Sequence, residues 1–281
     1  MKLPIVLITI LLGHSSAVHA QTPPNATWHG FETRRVPIPS GESATLVLPK
    51  TPAPGRPWVW QFALYGDNPI TGQVNAPALA LLEKGWHVVA LPLGNTFGAP
   101  SALKKWDELY AVVTGAYGLS PRPVLVGLSR EGLSIHRWAA AHPQQVGGIY
   151  ADRAVCDFKS WPGGKLGLGK GSTRDWEALI KTYGFSSEAE ALAYKENPVD
   201  LAEVLAGAKI PMLHVAGEKD DIVPPSENVL VLQSRMREAG GDLTLITVPG
   251  AGHHPHGLAG PAPIIAFMLR CAEQGVHRVL H

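Results

Sequence analysis

Strand-length apolar runs that alternate with amphipathic stretches constrain this chain more than any other feature. Trp58 to Leu64, His87 to Leu93, Pro123 to Gly127, Gly148 to Val155, Pro211 to Ala216 and Leu243 to Val248 are rich in Val, Ile, Leu and aromatic residues. They read as central strands. Between them lie Ala76 to Lys84, Ser101 to Tyr117, Gly132 to Ala141, Ser226 to Ala239 and Pro261 to Glu273, whose apolar positions recur at three and four residues, the period of a helix with one buried face. Strand and helix in alternation predict an α/β fold: a mostly parallel sheet with helices on both faces. The opening differs, because Thr27 to Ile38 and Ser43 to Pro49 flank the turn-forming Pro39-Ser40-Gly41-Glu42 and read as an antiparallel hairpin. Residues 158–209 break the rhythm after Gly148 to Val155, the sixth strand when the two of the hairpin are counted. Their first part, KSWPGGKLGLGKGSTRDW, is Gly-rich and basic, and Trp176 to Tyr183 and Ser187 to Lys195 read as short helices. Attached between two strand ends, this insertion is placed to overhang a site as a lid.

Lys2, the apolar run Leu3 to Leu12 and Val18-His19-Ala20 have the form of a secretory signal peptide over residues 1–20, leaving one domain over 21–281 in a secreted or periplasmic protein. The run is too short to span a bilayer core of about 30 Å, and no later window is apolar enough for a membrane span. Apart from Lys2 the 24 basic residues fall to 23, level with 23 acidic ones, so bulk charge draws in neither nucleic acid nor an anionic membrane. The expected partner is a small-molecule or carbohydrate substrate. Export makes a bridge between Cys156 and Cys271 chemically feasible without making it necessary for a core of this size.

The stretch Pro121 to Trp138 sets a β-branched run against Gly127-Leu-Ser129-Arg130-Glu131-Gly132 and then a helical pattern. A strand-to-helix turn tight enough to expose a serine demands small residues beside it, which Gly127 and Gly132 supply. The following helix points free amides and the positive end of its dipole at the turn. A serine hydroxyl is a weak nucleophile without a base, and the base needs a carboxylate to hold its tautomer. Both occur farther along, each just past the carboxyl end of a predicted strand: Glu218 to Pro224, and Ala251-Gly252-His253-His254-Pro255-His256.

Taken together these elements resemble the α/β-hydrolases across essentially the whole mature length. The order Ser, Asp, His is that superfamily's. Its Gly-x-x-Asp-x-x-Val-Pro pattern falls on Gly217, Asp220, Val223 and Pro224, favouring Asp220 over Asp221, and Gly-x-Gly-His falls on Gly250, Gly252 and His253. The resemblance implies Ser129 as nucleophile, His253 as base and Asp220 as its orienting acid. The oxyanion is expected to lie between the amide of Arg130 and one from Leu64 or Tyr65 in the loop Ala63-Leu64-Tyr65-Gly66. The elbow is similar to the Gly-x-Ser-Arg-x-Gly-Lys of glucuronoyl esterases, with Leu133 where those have lysine; that resemblance implies a role for the Arg130 side chain at the oxyanion and offers Asp157 as an alternative acid. The Asp and His patterns are shared with prolyl oligopeptidases and dienelactone hydrolases. An ester substrate is thus expected, carbohydrate-linked or aromatic, with a peptidase or a non-catalytic binding protein of the same fold as alternatives.

Other features carry less. Trp161 either stacks on a sugar or anchors the insertion, and His254 and His256 shape the loop or meet substrate. Sequence neighbours rarely converge on one ion and no His-Glu-x-x-His helix is present, so neither metal nor other cofactor is expected. His136 and His142 fit a helix surface. Gly164 to Ser172 imitates a phosphate-binding loop, but its hydroxyl falls one position late and the run reads as a flexible loop, its Lys165 and Lys170 solvated.

Overall fold

The computed structural model describes residues 26–66 and 73–279; residues 1–20, read above as a signal peptide, lie outside them. Nine strands form one sheet: β1 (Thr27–Trp28), β2 (Phe31–Pro37), β3 (Ser43–Val47), β4 (Trp58–Gln61), β5 (His87–Ala90), β6 (Val124–Leu128), β7 (Gly148–Asp152), β8 (Met212–Gly217) and β9 (Thr244–Val248), in the order β1-β2-β3-β5-β4-β6-β7-β8-β9. From β5 to β9 every pairing is parallel, while β1, β2 and β3 join antiparallel at one side. Leu243 to Val248, read as a central strand, is instead the rim strand β9, half-exposed along its length. Its threonines tolerate water, which the apolar content of the run concealed.

Strict alternation along the inner strands sends side chains to two separate cores, as the two-residue period of a strand requires. Trp58, Trp60, Val89, Leu125, Ile149 and Met212 face α2 (Pro100–Gly115), α3 (Gly132–Ala141), α6 (Ala202–Gly207) and α7 (Val229–Glu238). Val59, Val88, Val124, Val126, Tyr150 and Leu213 face α1 (Asn75–Glu83) and α8 (Ala262–Val279). On the first face Trp60 stacks on Trp106 with ring centres 4.5 Å apart and meets Trp138 edge-on at 4.9 Å. Cys156 lies in the first core and Cys271 in the second, and both are free thiols. The sheet stands between them. Burial pushes the Cys271 thiol up to about 12 and raises that of Cys156 further, so neither is a nucleophile at neutral pH. No helix among the described residues is long and apolar enough to cross a membrane.

Residues 158–209 divide into two parts. α4 (Thr173–Tyr183) and α5 (Glu188–Ala193) gather Phe158, Trp161, Trp176, Leu179 and Ala191 into a small third core that reaches Phe97, Leu133 and Val223 on the main body. Ser172 caps α4 through its side chain and Gly184 ends it in the left-handed conformation. The remainder, with Val199, Ala202, Leu205 and Ala206 in the first core, is the crossover helix that parallel strands β7 and β8 need to be joined. Its six residues are too short to announce a helical period. The phosphate-loop look-alike wraps a carboxylate of the protein itself: the amides of Leu168 and Gly169 donate to Glu227 at 2.7 and 3.2 Å, and Lys170 pairs with Asp221 at 2.5 Å. Lys165 pairs with Glu188 at 2.9 Å.

His136 does not lie on a helix surface. It is fully buried under the sheet; its Nδ1 lies 2.7 Å from the Gly132 carbonyl and its Nε2 3.1 Å from Nε2 of the equally buried His214. Burial lowers His136 to about 4 and, together with the neighbouring imidazole, takes His214 well below its usual value. Both are therefore folded as neutral rings, and from about pH 6.5 down to about pH 4 the unfolded chain binds protons that the folded one refuses. Urea midpoints should fall through that window, and the His136→Gln, His214→Gln double variant should show a shallower acid limb. An unchanged slope would rule the pair out as its source.

Candidate active site

The carboxyl ends of β4, β6, β7, β8 and β9 meet at one edge of the sheet, where strand order reverses around β4. Ser129 follows β6 directly and is held at φ +51°, a left-handed conformation that a residue with a side chain occupies only under constraint. The constraint is visible. The Val155 amide donates to the Ser129 carbonyl at 2.9 Å, drawing the elbow onto the exit of β7. A Cβ on Gly132 would sit 2.6 Å from the Val155 carbonyl oxygen, so only glycine allows the approach.

Ser129 Oγ lies 2.9 Å from His253 Nε2, and His253 Nδ1 lies 2.8 Å from Asp220 Oδ2. Asp220 is fixed in turn: its other oxygen accepts the amides of Ile222 at 3.0 Å and Val223 at 2.8 Å. His253 and Asp220 are both buried, whereas Asp221 is exposed and engaged by Lys170, which separates the two candidate acids on geometry. The loops carrying Asp220 and His253 touch. The Lys219 amide donates to the Ala251 carbonyl at 2.8 Å, and a Cβ on Gly217 would stand 2.3 Å from the Gly252 carbonyl oxygen. The glycine pattern noted in the sequence is the imprint of this crossing.

Asp157 is not brought to this group. Its carboxylate accepts the Lys159 amide at 2.8 Å and lies 3.3 Å from the Lys159 ammonium, lining a different groove with Leu166, Lys195 and Arg235. Trp161 is only 7% exposed and carries the Arg130 guanidinium 5.1 Å above its ring, so it anchors the insertion and has little face left for a sugar. Arg130 also bonds Asn95 and lies 4.0 Å from Asp175. Its side chain is thus drawn toward the insertion, while its amide, in the first turn of the short 3-10 helix Ser129–Glu131, has no helical carbonyl to meet. Beside it opens a cavity of about 230 Å³ lined by Phe62, Leu93, Asn95, Phe97, Arg130 and Glu131.

Two groups went unread in the sequence. Glu131 accepts both the Tyr65 hydroxyl at 2.6 Å and the Leu128 amide at 3.0 Å on one oxygen, tying the loop after β4 to the elbow. Tyr65 is further held by Asn75 Nδ2 on its carbonyl at 3.0 Å. Burial raises the Glu131 carboxyl to about 7 against the opposing pull of those hydrogen bonds. The second is Asp152, wholly buried at the end of β7, which takes the Tyr150 hydroxyl at 2.9 Å, Arg153 Nη1 at 2.6 Å, His256 Nδ1 at 2.9 Å and the Gly257 amide at 3.0 Å. Burial alone would raise its carboxyl, but His256 and Arg153 outweigh that and hold it low. Arg153 Nε donates to the Gly252 carbonyl at 2.8 Å, so this ion pair supports the base loop from beneath.

Sequence spacing argued against convergence of the three histidines, yet the loop turns so that the His253, His254 and His256 rings stand 4.8 to 5.2 Å apart. His254 is exposed; partial burial and then its two imidazole neighbours lower its pKa.

No protein-family model matches the sequence, and no curated protein matches it. Solved structures do. The chain is similar to a structure described as a dipeptidyl aminopeptidase IV from Bacteroides ovatus ATCC 8483, with a TM-score of 0.63 and 18% identity over 87% of this chain and 35% of that one. It is similar to a lipase from Acinetobacter baumannii AYE, at TM-score 0.56 and 15% identity over 88% of this chain and 94% of that one. It is also similar to the esterase domain of a Rhodothermus marinus protein, at 0.55 and 16% over 87% and 98%. It therefore spans about a third of the aminopeptidase's length. The shared feature is the fold, and this chain has the α/β-hydrolase fold.

Two outcomes follow from the buried carboxylates. An ionised Glu131 penalises the folded state, a cost absent below about pH 4.5 and complete above about pH 7. Glu131→Gln, which keeps an acceptor, should thus raise the thermal midpoint at pH 8 and leave it near wild type at pH 4; equal shifts at both would refute the assignment. Asp152→Asn strands a buried guanidinium and should cost about 3–5 kcal/mol in urea unfolding at pH 7.

Proposed function

We propose that this protein is an exported serine hydrolase that cleaves a carboxylic ester through an acyl-enzyme. The observation that carries the reading is the continuous chain from Ser129 Oγ through His253 to Asp220, with contacts of 2.9 and 2.8 Å. Ser129 attacks the carbonyl carbon as His253 Nε2 takes its proton, and Asp220 holds the Nδ1–H tautomer and stabilises the imidazolium. The tetrahedral oxyanion is met by the Arg130 amide and by that of Leu64 or Tyr65, each such donor lowering the barrier by roughly 3 to 4 kcal/mol. His253 returns the proton to the departing alcohol, and water, activated by the same imidazole, releases the acid.

The ester rather than amide reading draws on the lipase and esterase domain, which the chain parallels over nearly their whole length. The cavity beside Arg130 is of a size for a small acyl or aromatic group, its apolar walls supplied by Phe62, Leu93 and Phe97. Carbohydrate-linked esters belong to the same proposal, with the alcohol part left outside that cavity. The peptidase alternative draws on the Bacteroides structure.

The test is a matched panel of short-chain, aromatic and glucuronate esters beside proline amides, with fluorophosphonate labelling of the folded protein. Ester turnover that falls roughly 10⁴-fold or more in Ser129→Ala is expected, with the adduct on Ser129. Faster amide turnover would move the protein to the peptidases, and absence of any adduct would leave a binding protein of this fold.

A further inference from the structure

The base loop holds more imidazole than acyl transfer uses. His253 and His256 each give Nδ1 to a buried carboxylate, Asp220 at 2.8 Å and Asp152 at 2.9 Å. Each is thereby set as the tautomer that carries its lone pair on Nε2. A histidine whose far nitrogen is held by a carboxylate is the arrangement that orients imidazole ligands around a metal ion and raises their basicity. The third ring, His254, is exposed at the mouth of the same cluster and gives an ion a path in. The three rings lie at 74°, 79° and 88° to one another, edge to face rather than stacked.

We propose that His253, His254 and His256 form a three-imidazole site for a divalent transition ion of the zinc type, and that the bound ion withholds the base from Ser129. One ring nitrogen from each lies within 4.8 Å of the others. A tetrahedral zinc with Zn–N bonds of about 2.1 Å sets its nitrogens roughly 3.4 Å apart. Binding thus closes the cluster by an ångström or so. Water completes the tetrahedron. The Nε2 lone pair of His253 either accepts the Ser129 hydroxyl, 2.9 Å away, or binds the ion, and it cannot do both. Metal and turnover therefore exclude each other. Asp220 and Asp152 serve both states, since neither needs to release its histidine. The donor set of three neutral imidazoles selects zinc, cobalt or copper over magnesium and calcium, which prefer oxygen.

Only the inhibitory half rests on the hydrolase reading, and the metal is measured without turnover. Equilibrium dialysis of the full chain against zinc chloride should give one ion bound per chain. Cobalt(II) chloride should give the visible absorption of a tetrahedral ion, which zinc displaces. His254→Ala, changed at an exposed position, should weaken zinc binding at least tenfold and abolish the cobalt band. In the wild type, zinc should slow fluorophosphonate attachment to Ser129 at least tenfold, with restoration by a chelator. No stoichiometric ion, or binding unaltered by His254→Ala, would overturn the site. Stoichiometric zinc with an undiminished labelling rate would overturn the inhibition. A protein that is never labelled but binds zinc through His254 would sink the hydrolase reading and leave the metal site standing.

Discussion

One backbone crossing organises the functional edge of this sheet. The elbow after β6 is drawn down until the Ser129 carbonyl accepts the Val155 amide, and the absence of a side chain at Gly132 is what lets the two chains approach. That approach holds Ser129 at a positive φ, with its hydroxyl facing His253. A methyl group at 132 would push the elbow off the exit of β7 and move Ser129 relative to His253, which belongs to a different loop. Gly217 performs the same service where the loops of Asp220 and His253 cross. The site is therefore assembled by missing atoms as much as by reactive ones.

Below that surface the decisive energetics are electrostatic. Asp152 and Arg153 are both removed from water, an arrangement that would be costly if either stood alone. Their charges oppose, and every remaining hydrogen-bonding direction of Asp152 is used by Tyr150, His256 and Gly257. Arg153 then reaches the Gly252 carbonyl next to the base. The loop that carries His253 is thus braced by an ion pair that contacts neither Ser129 nor the His253 ring. Glu131 joins the other two loops of the site, and the raised pKa of its carboxyl records how dry that junction is.

Much of this was legible in the chain. The alternation of Trp58, Val59 and Trp60, or of Val124, Leu125 and Val126, announces strands buried on both sides, and each core receives every second residue. Ser129, Asp220 and His253 were readable because each sits in a tight turn with its own local requirement for glycine. Asp157 resembled a candidate for the same reason, a carboxylate just past a strand, and only its engagement by Lys159 removed it. His136 looked like a surface residue because helical periodicity says which positions share a face but not that this face is closed off by β8. Residues 198–207 passed for part of a lid because two short helical turns carry too little pattern to reveal a crossover.

The sequence by itself determined the class of fold, the places where the backbone turns and the residue types waiting at those turns, because these depend on spacing within a few residues. Tertiary structure alone decided that Asp152 meets His256 and that Asp157 stays apart from His253. Asp152 and His256 are 104 positions apart, and Ser129 and His253 are 124. Proximity over such separations is set by strand order and by how loops cross at the sheet edge, and no local pattern encodes either.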